Sequence, residues 1–550
     1  MRPAAAAAVP ATITGSEITG STTTGGEIPG SERVLIAGAW RPATAVDTYR
    51  AIDPTSGAQR DAVWPVSGWA DVEQALDAAT QAATELGQLP PAVSAQFLER
   101  YAARLEARGA ELVALAHAET GLAVKPRLTD HELPRMLDQL RQAAAAAREE
   151  TWRMVTIDSA RNIRAAAFGL GPVVVFPPAN FPLAYGAVTG GDFAAAIAAG
   201  NPVIAKAHAG HPSVSRLAAE EAAEAVREAG LPAATIQLLH GLSPADGERL
   251  VADARVGGTG FTGSQEAGQK LFAAAAAAGR VIWVEMGSIN PVVLLPGAIA
   301  ERGAEIAEQL VASVTGSAGQ VCIKPSVVFF VDDLAAREFV ADLQGRFAAV
   351  AGQILLGPSG RDRLATAVGK LRASGARIAT GGTAGPGRCE FVATLLEVTA
   401  AELLAKPAAF LMEAFGNATL LVRCGSAAEL VQALATLEGA LAAAVYLAHD
   451  GSDDDLAALV VPRLVRLAGR IVENRMTTGM AVSPAMQHGG PWPSAAPPFF
   501  SAVGIPWSIL RFARRICFDG WSQQRLPACL RDAPPAGRPW RFVDGGWERA

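Results

Sequence analysis

Cysteine is scarce and scattered in this chain. The five that occur in 550 residues (Cys322, Cys389, Cys424, Cys517 and Cys529) show neither metal-site nor disulfide-framework spacing. No metal is therefore expected, and a reduced, cytoplasmic setting fits best. There is also no block of charge of one sign. With 47 basic and 53 acidic residues the net charge is −6, and no basic stretch suggests a nucleic-acid partner. No apolar run reaches the roughly 18 to 20 residues that span a bilayer, so no membrane partner is expected. Internal repeats are missing too, beyond a generic alternation of strand-like and helix-like stretches.

What is present indicates a large soluble enzyme-sized chain. Half the residues are apolar and 18% are charged, enough to bury a sizeable core divided between two or more domains. Residues 1–30 stand apart, being rich in Ala, Thr, Gly and Ser without hydrophobic periodicity. One arginine (Arg2) beside Glu17 and Glu27 does not make a mitochondrial presequence, and no long apolar segment makes a secretory signal. A disordered tail is expected there.

Arg33 to Trp40 reads as an edge strand with a turn. Amphipathic helices are predicted over Asp71 to Leu86, Ser94 to His117 and Asp130 to Glu149. From Gly171 onward strands and helices alternate. Strand-like runs at Val173–Phe176, Pro202–Lys206, Thr235–Leu239, Val256–Phe261 and Val281–Glu285 are separated by helical stretches, among them Leu183–Ala199 and Ser213–Glu228. Such alternation implies a parallel sheet covered on both faces, the dinucleotide-binding architecture. A second α/β series runs from Asn290 to about His488. Between the third helix and Gly171, residues 154–167 suggest a hairpin turning at Asp158 and leaving the first unit.

Three residues at element ends carry the chemistry. Gly319-Gln320-Val321-Cys322 places a thiol after the small, flexible run Thr315-Gly316-Ser317-Ala318. Val284-Glu285-Met286-Gly287 ends a strand-like run with a carboxylate, and Pro178-Ala179-Asn180 follows another with an amide. Each has a bland reading: a buried small thiol, a charged strand end, a turn asparagine. Together they are the thiol, base and amide donor needed to oxidise an aldehyde through a thioester.

In that order the set resembles the aldehyde dehydrogenase superfamily over roughly residues 33 to 545. It is most similar to the branch of α-ketoglutaric semialdehyde (2,5-dioxopentanoate) and NADP-dependent fatty aldehyde dehydrogenases. Phe176-Pro-Pro-Ala-Asn-Phe-Pro182, Lys206-Ala-His208, Glu285-Met-Gly-Ser-Ile-Asn-Pro291 and His488-Gly-Gly-Pro-Trp-Pro493 carry that likeness. The resemblance implies an α/β fold with a Rossmann-like cofactor domain (31–150 and 168–288) and an α/β catalytic domain (289–504). A small β oligomerisation element (151–167 and 505–550) implies a homodimer or homotetramer. The implied activity is NAD(P)-dependent oxidation of an aldehyde, for instance a semialdehyde such as 2,5-dioxopentanoate. Cys322 would be the nucleophile, Asn180 the oxyanion donor and Glu285 the base.

For the cofactor, the resemblance implies that Gly263, Ser264 and Gly268 form the turn and helix start that receive a pyrophosphate. Lys206 would bond the adenosine ribose, and Glu413 and Phe415 would meet the nicotinamide side. NAD-preferring relatives often place a glutamate three residues after this lysine. Here that position is Ala209, with His208 and His211 as further donors nearby, which favours NADP or dual use. Several segments depart from the family pattern: Ile323-Lys324-Pro325 after the thiol, Asn417 in place of a proline, Arg475–Thr478, and Pro498-Phe499-Phe500. Lys324 is expected to face solvent. Two alternatives remain open, a CoA-acylating dehydrogenase and a non-catalytic homologue acting as a binding or scaffold protein.

Overall fold

The computed structural model describes residues 25–533 and 540–549. Two sheets organise the chain. The first has eight strands, and its centre is five parallel strands: Ile236–Leu239, Val203–Lys206, Val173–Phe176, Gly258–Gly263 and Val281–Met286, in that spatial order. The hairpin Val34–Ile36 and Ala39–Arg41 closes one edge and Ala495–Ala496 the other. The second sheet has seven strands, with Pro325–Val331 and Asn290–Leu294 at its centre.

The residues explain why both sheets are covered on both faces. Successive side chains of a strand point to opposite sides. Val173 and Val175 accordingly enter one core with Leu98, Tyr101 and Phe193, while Val174 and Phe176 enter another with Val72, Leu76 and Ile204. The second sheet repeats this, with Val327 and Phe329 facing one core and Val328 and Phe330 the other. A strand buried on both faces must be apolar throughout, which is how these runs read in the sequence.

The third sheet matches the expected hairpin. Val155–Asp158 and Ile163–Gly169 are antiparallel, Ala513–Asp519 lies beside the latter, and Trp540–Val543 with Gly546–Arg549 extends the other side. Most of the expected tail, residues 1–24, lies outside the described residues. Gly26 nevertheless bridges to Ala45 and Ile28 packs on the first sheet's core, so these two residues of the expected tail belong to the fold. Ala495–Ala496, expected with the catalytic unit, instead joins the first sheet.

Three predicted helices are corrected. The span 94–117 is two helices, Pro91–Ala107 and Gly109–Thr120, broken at Arg108 where the side chain turns to Glu111 and Glu221. The third helix starts at Leu133, after a wide helical turn over Val124–Glu132. The span 183–199 is helical only over Gly191–Ala198. Before it, the Glu132 carboxylate accepts the backbone N–H groups of Leu183 and Ala184 at 2.8 and 3.0 Å. Gln139 donates to the carbonyls of Ala184 and Thr189. Side chains thus satisfy a buried backbone that would otherwise need a helix.

Candidate active site

The Cys322 loop follows the helix Pro296–Thr315. Ser317, Ala318 and Gly319 all take left-handed backbone angles (φ 53°, 53° and 67°), which turn the chain sharply toward the space between the sheets. At Gly319 even a methyl group would strike the Gly416 carbonyl, at 2.2 Å. Two asparagines hold the loop. The Asn180 amide donates to the Gln320 carbonyl at 2.9 Å, leaving its second N–H uncommitted. Asn290 donates to the carbonyls of Cys322 (2.8 Å) and Lys324 (3.1 Å), and its oxygen accepts from Ser288 and Ala442.

The thiol has a partner that sequence reasoning missed. His488 Nε2 lies 3.1 Å from Cys322 Sγ, although the two are 166 positions apart. On the other side of the ring, Nδ1 meets Glu285 Oε1 at 2.7 Å, too bent for a straight hydrogen bond and therefore a charge contact. The imidazole is buried, its backbone N–H held by Ser501 Oγ at 2.8 Å. Burial alone would lower the pKa of His488. The charges of Cys322 and Glu285, then Tyr185 and the thiol hydrogen bond, outweigh it and raise the value well above normal. The three donor atoms lie within 4.8 Å of one another. The imidazole stands between the other two groups, with the thiol on Nε2 and the carboxylate on Nδ1, so the three do not converge on a single point.

The expected cofactor residues separate into those that fit and those with another task. Gly263 and Ser264 end a strand and cap the helix Gln265–Ala277, with Ser264 Oγ accepting the Ala267 N–H. The string Gly258-Thr259-Gly260-Phe261-Thr262-Gly263 spells a dinucleotide fingerprint but forms the strand itself, so the spelling is incidental. Gly268 faces inward: a Cβ there would sit 2.6 Å from Met286, so its observed role is close helix–strand packing. Lys206 is half-buried at its strand end, has no carboxylate partner among the described residues, and is pushed down to about 8 by burial. His208 stacks on His211 at 5.2 Å and accepts the Gly210 N–H through Nδ1, which leaves Nε2 as a donor. His211 is corrected as a donor: it is fully buried, and Nε2 already donates to the Pro178 carbonyl. Ala209 is half-buried on the turn between them.

Glu413 accepts the Ser288 N–H at 3.2 Å and lies so close to Gly287 that a Cβ there would be 2.0 Å away. Burial raises its pKa to about 7 against the pull of that hydrogen bond and of Lys324. With Gln265, Ser288 and Pro493 it lines a cavity of about 390 Å³; Phe415 is half-buried and is not among the lining residues. A larger cavity of about 810 Å³ opens over the thiol, lined by Cys322, Ile323, Phe181, Tyr185, Arg127 and Arg135 among others. One cavity therefore reaches the thiol and another adjoins the helix that begins at Gln265.

Residues 40–495 match the model of the aldehyde dehydrogenase family. The chain belongs to that family. It is 38% identical over 524 residues to α-ketoglutaric semialdehyde dehydrogenase 2 of Azospirillum brasilense, covering 93% of this chain and 98% of the relative. A relative from Acinetobacter baylyi, α-ketoglutaric semialdehyde dehydrogenase, is 33% identical over 477 residues, covering 84% and 89%. The fold is similar to lactaldehyde dehydrogenase of Escherichia coli (TM-score 0.76, 22% identity, 89% of this chain and 99% of that one). A variant of aldehyde dehydrogenase C from Pseudomonas syringae, solved with NAD+ and octanal, gives TM-score 0.76 at 22% identity, over 92% and 100%. The protein is an oxidoreductase that oxidises an aldehyde with a nicotinamide dinucleotide.

The departures from the aldehyde dehydrogenase pattern now have physical accounts. Lys324 does not face solvent. It is buried, its ammonium donates to the Ala418 carbonyl at 2.6 Å, and burial pushes it down to about 8. Ile323 packs with Leu441, Ala442 and Ala495 under the thiol. Asn417 is buried and donates to Gln353 and to the Phe391 carbonyl, bonds a proline lacks. Thr478 and Gly479 line the large cavity, but Pro498–Phe500 do not; Phe500 lies beside Trp283 on the first sheet.

Proposed function

We propose that this aldehyde dehydrogenase oxidises an aldehyde that also carries a carboxylate, of the 2,5-dioxopentanoate kind, to the diacid. The substrate class is drawn from the two semialdehyde dehydrogenase relatives, which match most of the chain. The chemistry rests on one observation above all, the continuous contact Cys322–His488–Glu285 beneath the large cavity. His488 Nε2 takes the thiol proton, and Cys322 attacks the aldehyde carbon to give a thiohemiacetal. The free N–H of Asn180 and the Cys322 backbone N–H stabilise the oxyanion. A nicotinamide held here would supply the hydride acceptor, and loss of hydride from the thiohemiacetal carbon would leave an acyl thioester on Cys322. Glu285 then removes a proton from the water that hydrolyses this thioester, releasing the acid and freeing the thiol.

The residues fit such a cofactor. Lys206 and His208 Nε2 offer uncompensated donors for an adenosine ribose bearing a 2′-phosphate, and the helix start at Ser264 suits a pyrophosphate. Glu413, which lines the smaller cavity, would meet the nicotinamide ribose, with Phe415 beside the nicotinamide. Ala209 presents no carboxylate to repel a 2′-phosphate, so NADP or dual use is favoured. We further infer a cytoplasmic homodimer or homotetramer. Four free cysteines besides Cys322 support the setting, and the open edge strand Ala513–Asp519 supports the assembly. Among the described residues, no helix is long and apolar enough to cross a membrane.

Glu285→Gln tests the hydrolytic step. The variant should release a burst of up to one reduced cofactor per active site and then turn over about 10² to 10⁴ times more slowly, the usual cost of losing a general base. Stopped-flow absorbance reads both phases. Wild-type turnover, or turnover that requires CoA, would remove Glu285 from this role. For the cofactor, Ala209→Glu should lower kcat/KM for NADP by about 1 to 3 kcal/mol of transition-state binding, with NAD unchanged or improved. An unchanged NADP/NAD ratio would show that position 209 does not face the ribose.

A further inference from the structure

Two arginines line the large cavity, and the fold treats them differently. Every guanidinium nitrogen of Arg127 is engaged: Nε donates to Ser317 Oγ at 3.1 Å, one terminal nitrogen to the Asn180 carbonyl at 2.9 Å, and the other to the buried Glu132 carboxylate. Its charge is neutralised and its task is to hold the loops of Asn180 and Cys322 together. Arg135, on the first turn of the helix Leu133–Glu149, is left open. Its one hydrogen bond goes to the Tyr185 hydroxyl at 3.2 Å, and its Nε is buried without a partner. No carboxylate lies within ion-pair distance of it among the described residues. Asp138, one turn along, takes the amide of Gln142 instead, and Glu132, just before it, belongs to Arg127.

The surroundings aim this cation at the reacting end of the cavity. The guanidinium lies 5.2 Å from the centre of the Tyr185 ring and 5.9 Å from that of Phe181. The Tyr185 ring is in turn 6.4 Å from that of His488, the residue beside the thiol. A partly buried guanidinium with no counterion is costly unless a ligand supplies the anion. Its planar fork suits a carboxylate through two parallel N–H bonds.

We propose that Arg135 is the specificity-determining residue that receives the carboxylate of the substrate at the end remote from the aldehyde. This rests on the acidic-semialdehyde reading above and assigns its recognition to one side chain. One aromatic ring separates guanidinium from imidazole, so the site takes short ω-carboxy-aldehydes with the aldehyde carbon at Cys322.

The test compares wild type with Arg135→Gln and Arg135→Lys, all full-length. Each is assayed with 4-oxobutanoate and 2,5-dioxopentanoate and with the uncharged aldehydes butanal and pentanal. The glutamine variant should lose about 10- to 100-fold in kcat/KM for the acidic substrates, mostly through KM. The loss for uncharged aldehydes should be far smaller, and the lysine variant should recover part of the difference. Glutarate should protect Cys322 of wild type from alkylation by iodoacetamide, and the glutamine variant should lose that protection. An equal loss for both substrate types would assign Arg135 a merely structural role and overturn the proposal. Undiminished preference for acidic substrates in Arg135→Gln would also overturn it while leaving the semialdehyde reading intact. Wild type that does not prefer acidic substrates would overturn that reading and this assignment with it.

Discussion

Replacing Cys322 by alanine should lower kcat/KM for aldehyde oxidation by at least about a thousandfold, while the affinity for NADP or NAD changes little. The size follows from the role. If the thiol forms the covalent intermediate, no neighbouring group can substitute, because the other cysteines are remote or buried. Cofactor affinity should survive because the candidate cofactor residues, from Lys206 to Glu413, do not rely on the thiol. Steady-state kinetics and cofactor titration by fluorescence together check this. A variant keeping a tenth of wild-type activity would rule out the covalent route.

The second large effect belongs to His488. Exchanging it for asparagine removes the base 3.1 Å from the thiol, and kcat/KM near pH 7 should fall by about 10² to 10⁴. The pH dependence separates this from a packing defect. His488 carries a pKa raised well above its usual value, so its proton is retained as pH rises through the ordinary histidine range of about 6.5. The imidazole therefore stays cationic there, and wild-type Cys322 should be alkylated faster than in the variant, an advantage that fades only well above that range. The variant lacks this cation at every pH, so neither alkylation nor turnover should show that pH-linked advantage. Equal alkylation rates in both proteins would mean that His488 does not govern the thiol.

Much of the site was legible one residue at a time. Asn180 and Glu285 stand at or just after strand-like runs, where parallel sheets present side chains to ligands, and Cys322 follows a run of small residues that cannot continue a helix. His488 was visible as part of a Gly-Gly-Pro segment, yet nothing local told it from any other loop histidine. Its chemistry comes from neighbours 203 and 166 residues upstream, a distance that periodicity cannot cross. Arg127, just before the helix predicted over Asp130 to Glu149, and Arg135 within it were invisible for the same reason, since nothing local sets either apart from other charged residues. Lys324 shows the converse error. A lysine beside a proline reads as surface, but the Ala418 carbonyl gives its ammonium a buried acceptor.

The sequence by itself determined the class of fold and the sides on which its cores lie. Periods of 2 and 3.6 residues are properties of the local backbone, and Val173 to Phe176 needs no distant information to be read as a strand buried on both faces. Tertiary structure alone decided which polar groups meet. Leu183 to Val188 has the composition of a helix, but Glu132 and Gln139 capture its backbone and hold it as a loop beside the thiol. Likewise a thiol, an imidazole and a carboxylate become one proton-handling unit only when two sheets and a C-terminal loop pack together. Buried polar groups must find partners, and where those partners come from is settled by packing, not by neighbours in the chain.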